Sequence, residues 1–298
     1  MRNKKQRKII IRLLIAALIL FLGLLTEFVI HRYRTNRTVV FMTEGKTVHI
    51  YRDKKWQEFP LNGVNIGLGR QEESGYSTQE DATFTKDEYS QWFKQLAAME
   101  INVIHIYTVL PPVFYKAFFE YNLLTDKPLY LLHGIRVNGN QLALYQNAYD
   151  DRLNSDFFEE IRRTIDVIHG KVTAKQKNNH GSGTYNLNIS PYVLGYTLQE
   201  ETDFGFVTAT NQKNPHIMGF EGDYLYTENA SPYEAWLAAV GNYVISYEQE
   251  KYGGPQKLVS WTNSPNTNLE HIRNTEKFNA GFLAALQLQD KFVEYKGH

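Results

Sequence analysis

One long apolar run and a series of short alternating ones divide this chain. From Ile9 to Ile30 the residues are apolar apart from Arg12, Thr26 and Glu27. A helix of that length rises about 33 Å, enough to cross a hydrocarbon core of roughly 30 Å. Arg12 and Glu27 lie near its ends, where long side chains reach the headgroups. A cleaved signal peptide would have a shorter apolar core and a small-x-small exit. The exit here, Leu24 to Ile30, has none. The pattern predicts a basic cytoplasmic tail over 1–8 and an uncleaved transmembrane anchor over 9–30.

Beyond the anchor the period changes to two. Thr38–Met42 and Thr47–Tyr51 flank Glu44-Gly45-Lys46, a hairpin signal, within a β-rich lead-in over 36–59. Strand and helix patterns then alternate. Strands are expected at 62–67, 102–109, 128–135, 192–198 and 257–262. Helices are expected at 86–99, 112–121, 156–169, 232–252 and 275–292. Ser231 and Pro232 form a cap-and-first-turn signal for the fourth of these helices. Such alternation implies a parallel sheet covered by helices.

Charge sharpens this picture. The 298 residues carry 32 Lys+Arg and 32 Asp+Glu. Residues 1–34 hold eight basic residues and one acid, so +7 sits at the anchor and −7 on the remainder. Basic residues before the span keep the N-terminus cytoplasmic and place the body outside. An acidic body excludes broad nucleic-acid binding, which needs clustered positive charge. With no Cys, disulfide scaffolds, thiolate zinc sites and cysteine nucleophiles are excluded. The nine His show no paired metal-ligand spacing, and no metal or other cofactor is expected. No dinucleotide or Walker glycine spacing follows the first strand. His180-Gly181-Ser182-Gly183 lacks the frame of a nucleophile elbow.

Several strand ends resemble the barrel of clan-A glycoside hydrolases, closest to the family-2-like barrels of bacterial membrane-linked proteins. The stretches are Phe59-Pro60-Leu61-Asn62-Gly63-Val64-Asn65, Asn102 to Tyr107 with Pro111-Pro112, and Leu194 to Glu201. Lys257 to Asn263 continues the series. The resemblance covers roughly 56–270 and rests on the order of weak motifs. It implies an α/β fold: a (β/α)8-barrel-like glycosidase domain over 60–298. With about five βα units in view the barrel is expected to be incomplete, following a β-hairpin and one transmembrane helix.

Glycoside cleavage uses two carboxyl groups flanking the bond, carried in a parallel barrel at the C-terminal strand ends. The resemblance gives the acid/base role to Glu201 or Glu200. Alternation turns their side chains to opposite faces. The Gly-x-Glu-Trp pattern of related membrane proteins favours Glu201, and the clan's amide-then-Glu pattern favours Glu200; Glu201 is preferred. The nucleophile expected on a later strand is missing. Ser264 stands where an aromatic residue is common and Asn268 where an Asp is common, while Asp203 and Glu221 are possible substitutes. Little or no glycosidase activity is therefore expected. Asn65, Tyr107 and His133 are candidates to line a sugar cleft, with ordinary rim packing as the alternative. Arg70 is a further loop candidate, and Tyr196 and Trp261 read as core.

The sequence thus predicts a membrane-anchored, extracellular glycosidase-like protein that acts on or binds cell-surface polysaccharide or oligosaccharide, with the bilayer as its second partner. An inert carbohydrate-binding or scaffold domain of an envelope system is the competing expectation. A truncated gene product is the third.

Overall fold

The computed structural model describes residues 2–36, 40–52, 54–67, 71–72, 75–76, 84–137, 139–175, 181–198, 204–261, 266–283 and 292–294. The chain divides into two units, Met1–Thr38 and Val39–His298.

The first unit is one helix, α1 (Arg2–Asn36). Its stretch Gln6–Ile30 is long and apolar enough to cross a membrane, as a signal anchor or a signal sequence would. Leu13, Leu14 and Leu20 project from it without burial. Thr26, a polar side chain in this stretch, donates its hydroxyl to the Leu22 carbonyl at 2.8 Å and so satisfies itself within the helix.

The second unit opens with three antiparallel strands, Val40–Glu44, Thr47–Arg52 and Lys55–Glu58. Gly45 takes the left-handed turn between the first two, at φ +58°. Phe41 and Phe59 meet the Tyr130 ring edge-on at 4.8 and 5.5 Å. Tyr130 begins the strand Tyr130–Ile135, so this small sheet closes the N-terminal end of the larger one.

The larger sheet has seven strands, all parallel. Gly63–Ile66, Val103–Ile106, Tyr130–Ile135, Val193–Leu198, Leu258–Trp261 and Phe282–Leu283 lie side by side in chain order. The seventh, Phe292–Glu294, returns to pair with the first, Val293 opposite Val64. Among the described residues no ladder joins the two end strands.

Five strands were expected, with a helix over 275–292. The structure corrects this: residues 275–281 form no helix, and strands lie at 282–283 and 292–294. The reason is local. Gly281 adopts φ +88° and lies so close to Thr43 that an added Cβ would collide with its hydroxyl. The Thr43 amide donates to the Ala280 carbonyl at 2.9 Å. A helix cannot accommodate either feature, and Phe278, Ala280 and Phe282 follow the two-residue period of an extended chain.

Helices cover one face of the sheet: α2 (Lys86–Ala98), α3 (Pro112–Leu124), α4 (Gly139–Tyr145), α5 (Asp151–Ile168), α6 (Phe204–Lys213) and α7 (Pro232–Lys251). Thr85 with Glu88 and Ser231 with Glu234 form capping boxes, which fix where α2 and α7 begin. Helices α2 and α3 join through Tyr89, Phe93, Phe114 and Phe118, with ring centroids 5.3–5.9 Å apart. Each fully buried Phe contributes about 2–3 kcal/mol through removal from water. Tyr196 and Trp261, expected in the core, are buried.

A buried polar group sits between the C-terminal ends of α5 and α7 and the starts of the strands Val193–Leu198 and Leu258–Trp261 that follow them. His169 Nε2 meets Glu248 Oε1 at 2.8 Å, and the His169 ring stacks on Tyr252 with centroids 3.8 Å apart. The Lys257 ammonium donates to the Ser190 carbonyl at 2.7 Å. Burial lowers the Lys257 pKa from its ordinary 10.5, partly opposed by the Glu248 charge. At this group the folded state therefore binds fewer protons than the unfolded state as pH approaches 10.5, so the Lys257 contribution to stability rises with pH across that window. Lys257→Met should flatten this alkaline rise in a thermal-unfolding series; an unchanged slope would show that Lys257 is not its source.

Candidate functional site

In a parallel sheet, residues in register point to the same face and neighbours along a strand to opposite faces. Asn65 is in register with His105, and Thr197 with both Gly134 and Ser260. Asn65 and His105 are each third of four residues in their strands, and Thr197 is fifth of six. They therefore form a polar layer towards the C-terminal ends, on the face away from the helices.

The side chains are joined. His105 Nδ1 lies 2.9 Å from Asn65 Oδ1, and His105 Nε2 lies 3.0 Å from Thr197 Oγ1. An amide oxygen only accepts, so Nδ1–H donates to Asn65, and Nε2 pairs with the Thr197 hydroxyl. The second bond passes over the strand Tyr130–Ile135. Glycines make that possible: at Gly134 an added Cβ would stand 2.5 Å from the Tyr107 carbonyl oxygen, and at Gly195 it would meet the Leu258 carbonyl. Ser260 is fully buried, and its Oγ has no hydrogen-bond partner among the described residues.

The order hydroxyl, imidazole, amide is that of an activated nucleophile. Thr197 is only 4% exposed, however, and a substrate cannot reach its hydroxyl. The array ties three strands together and presents the half-buried His105 and Asn65 to whatever enters from the rim.

Tyr107 follows His105 at the strand end. It is half-buried, and its ring meets the His105 ring edge-on at 4.9 Å. Asn65 and Tyr107 are thus brought together through His105. His133 is set apart from them. It alternates with Leu132 and Gly134, faces the helices and is fully buried. Its Nε2 bonds the Tyr115 hydroxyl of α3 at 2.8 Å. The expected place for His133 at a cleft is thereby corrected: odd and even positions in Tyr130–Ile135 face different layers. Glu200, Glu201, Asp203, Arg70, His180 and Ser264 lie outside the described residues. Glu221 is exposed and bridges to Tyr226, away from the polar layer.

Asn268 bonds to structure rather than to a cleft. Its amide donates to Glu234 Oε1 at 2.6 Å, and Glu234 Oε2 meets His271 Nδ1 at 2.8 Å. The buried Glu234 thus serves both the cap of α7 and the loop after Leu258–Trp261. His105 and Thr197 were missed as site residues. Their signal was available: a polar residue in the interior of an apolar strand, His105 in the same row as Asn65 and Thr197 two residues beyond it. Among the described residues no group of three or more His, Asp or Glu is placed to hold a metal ion.

No protein-family model and no curated protein matches the chain. A solved structure, the complex of an endocellulase from Pyrococcus horikoshii with cellotetraose, is distantly similar, with a TM-score of 0.40 and 11% identity. The match covers 76% of this chain and 58% of that one, so this chain spans less than two thirds of that enzyme's length.

Replacing His105 with Leu leaves Asn65 Oδ1 and the Thr197 hydroxyl without their shared partner, at a cost of about 1–3 kcal/mol. Thr197→Val should cost clearly less in the His105→Leu background than alone. Denaturant titration of the four proteins measures this coupling, and additive losses would mean the bond is not formed.

Proposed function

We propose that this protein is a membrane-anchored, glycosidase-like (β/α) barrel that binds saccharide at its C-terminal rim on the outer side of the membrane. The observation that carries the reading is the Asn65–His105–Thr197 array with Tyr107 beside it, at the strand ends where parallel α/β enzymes build their sites. Amide, imidazole and phenol groups suit a ligand rich in hydroxyls, and an aromatic face suits the apolar side of a pyranose. The basic cluster before the α1 apolar stretch supports the orientation.

Glu201 is the acid/base candidate. It is preferred to Glu200 on the Gly-x-Glu pattern of the resembled proteins, and both lie outside the described residues. The second carboxyl group is the open element. The competing reading, an inert saccharide-binding domain, is favoured by the array itself, whose members Asn65, His105 and Thr197 carry no carboxylate.

The test uses the full chain in detergent micelles on arrayed tetramers of β-linked glucose, N-acetylglucosamine and galactose. Binding is expected, weakened about tenfold in Tyr107→Ala, with little or no turnover. Measurable turnover that disappears in Glu201→Gln would establish a hydrolase in place of the inert reading. Absence of both binding and turnover would overturn the saccharide assignment.

A further inference from the structure

The segment leaving the strand Val103–Ile106 is held from behind to an unusual degree. Thr108, Val109 and Leu110 are buried, while Tyr107 remains half-exposed at the rim. The Leu110 amide donates to the Tyr115 hydroxyl at 3.3 Å, and the Leu110 carbonyl accepts from the Tyr185 hydroxyl at 2.8 Å. The Gly181 amide donates to the Val109 carbonyl at 2.7 Å. Two glycines have no room for a Cβ against this segment: Gly134 beneath the Tyr107 carbonyl and Gly181 against Leu110.

The Tyr115 hydroxyl is itself fixed. His133 Nδ1–H donates to the Gly134 carbonyl at 2.8 Å, which leaves Nε2 to accept from Tyr115. Burial, above all, holds the Tyr115 phenol well above its ordinary range, so it stays protonated and remains a donor. The Tyr115 and His133 rings lie nearly parallel, 19° apart, and Tyr185 meets Tyr115 edge-on at 5.4 Å. One continuous chain of bonds therefore runs from the Gly134 carbonyl through His133 and Tyr115 to the backbone of the rim segment.

We infer that Tyr115 and His133 are positioning residues that hold Tyr107–Pro111 from the helix side of the sheet and so present the Tyr107 ring as a rigid platform for a pyranose face. The inference rests on the saccharide reading for its ligand, but not for the clamp. A ring already fixed in place loses little freedom on binding, so the benefit appears as affinity. His133 thus serves the rim without touching what binds there.

Tyr115→Phe keeps the ring and removes only the hydroxyl, freeing the Leu110 amide. Hydrogen exchange of the full chain in micelles should then accelerate at least tenfold within 107–111, with Val193–Leu198 and Leu258–Trp261 unchanged. On the same tetramer array, binding should weaken about threefold or more. It should weaken no further when Tyr115→Phe is added to Tyr107→Ala, because the effect passes through Tyr107. Tyr185→Phe, which releases the Leu110 carbonyl, gives a second route to the same local signature should the first variant fold poorly. Unchanged exchange at 107–111, acceleration spread over the whole sheet, or an additional affinity loss in the Tyr107→Ala background would each overturn the inference. If the unmodified chain binds no tetramer, the saccharide reading falls, while the exchange result alone decides whether the clamp exists.

Discussion

A side-chain hydrogen bond that reaches across an intervening strand is the most demanding contact in this protein. Adjacent strands lie about 4.8 Å apart, so His105 and Thr197 belong to backbones separated by roughly twice that distance on a flat sheet. Their 3.0 Å bond requires the face to be concave and the residues beneath it to be small. Gly134, in register with Thr197 on the crossed strand, helps to meet the second condition, and the twist of parallel strands contributes to the first. The seventh strand, on the far flank of Gly63–Ile66, extends the same curvature.

That curvature separates the polar groups of the molecule into two societies. On the inner face, Asn65, His105 and Thr197 satisfy one another near the C-terminal strand ends. On the helix side, His133, Tyr115 and Tyr185 do the same around Leu110, while His169, Glu248 and Lys257 gather nearer the opposite end. The first group is open to the rim. The other two are enclosed, where an unpaired polar atom is costly, so each member needs a partner. Half-exposed and enclosed polar groups therefore lie on different faces of the same strands.

Much of this was legible in the sequence. The apolar stretch, the Gly45 hairpin, the first five strands and the starts of α2, α3 and α7 all follow from local periodicity and capping. What escaped was anything that depends on a distant neighbour. The non-helical course of 275–283 is stabilised by Thr43, far away in sequence, against a local composition that reads as helical. The facing of His133 depends on the parity of a strand buried on both sides, where its neighbours are apolar or small and alternation leaves no mark. His105 did stand out as the polar residue of its apolar strand, but its link to Asn65 needs the register of the folded sheet. The key carboxylates implied by the resemblance to clan-A glycosidases fall at 200 and 201, outside the described residues.

The pairing of Phe292–Glu294 with Gly63–Ile66 joins two stretches more than two hundred residues apart. Until the later one has been synthesised, the earliest strand of the sheet has an unsatisfied flank, with amides and carbonyls open to any other extended chain. Maturation of the body is therefore a late, all-together event, and the nascent protein must be shielded from self-association for most of the time that a ribosome is making it.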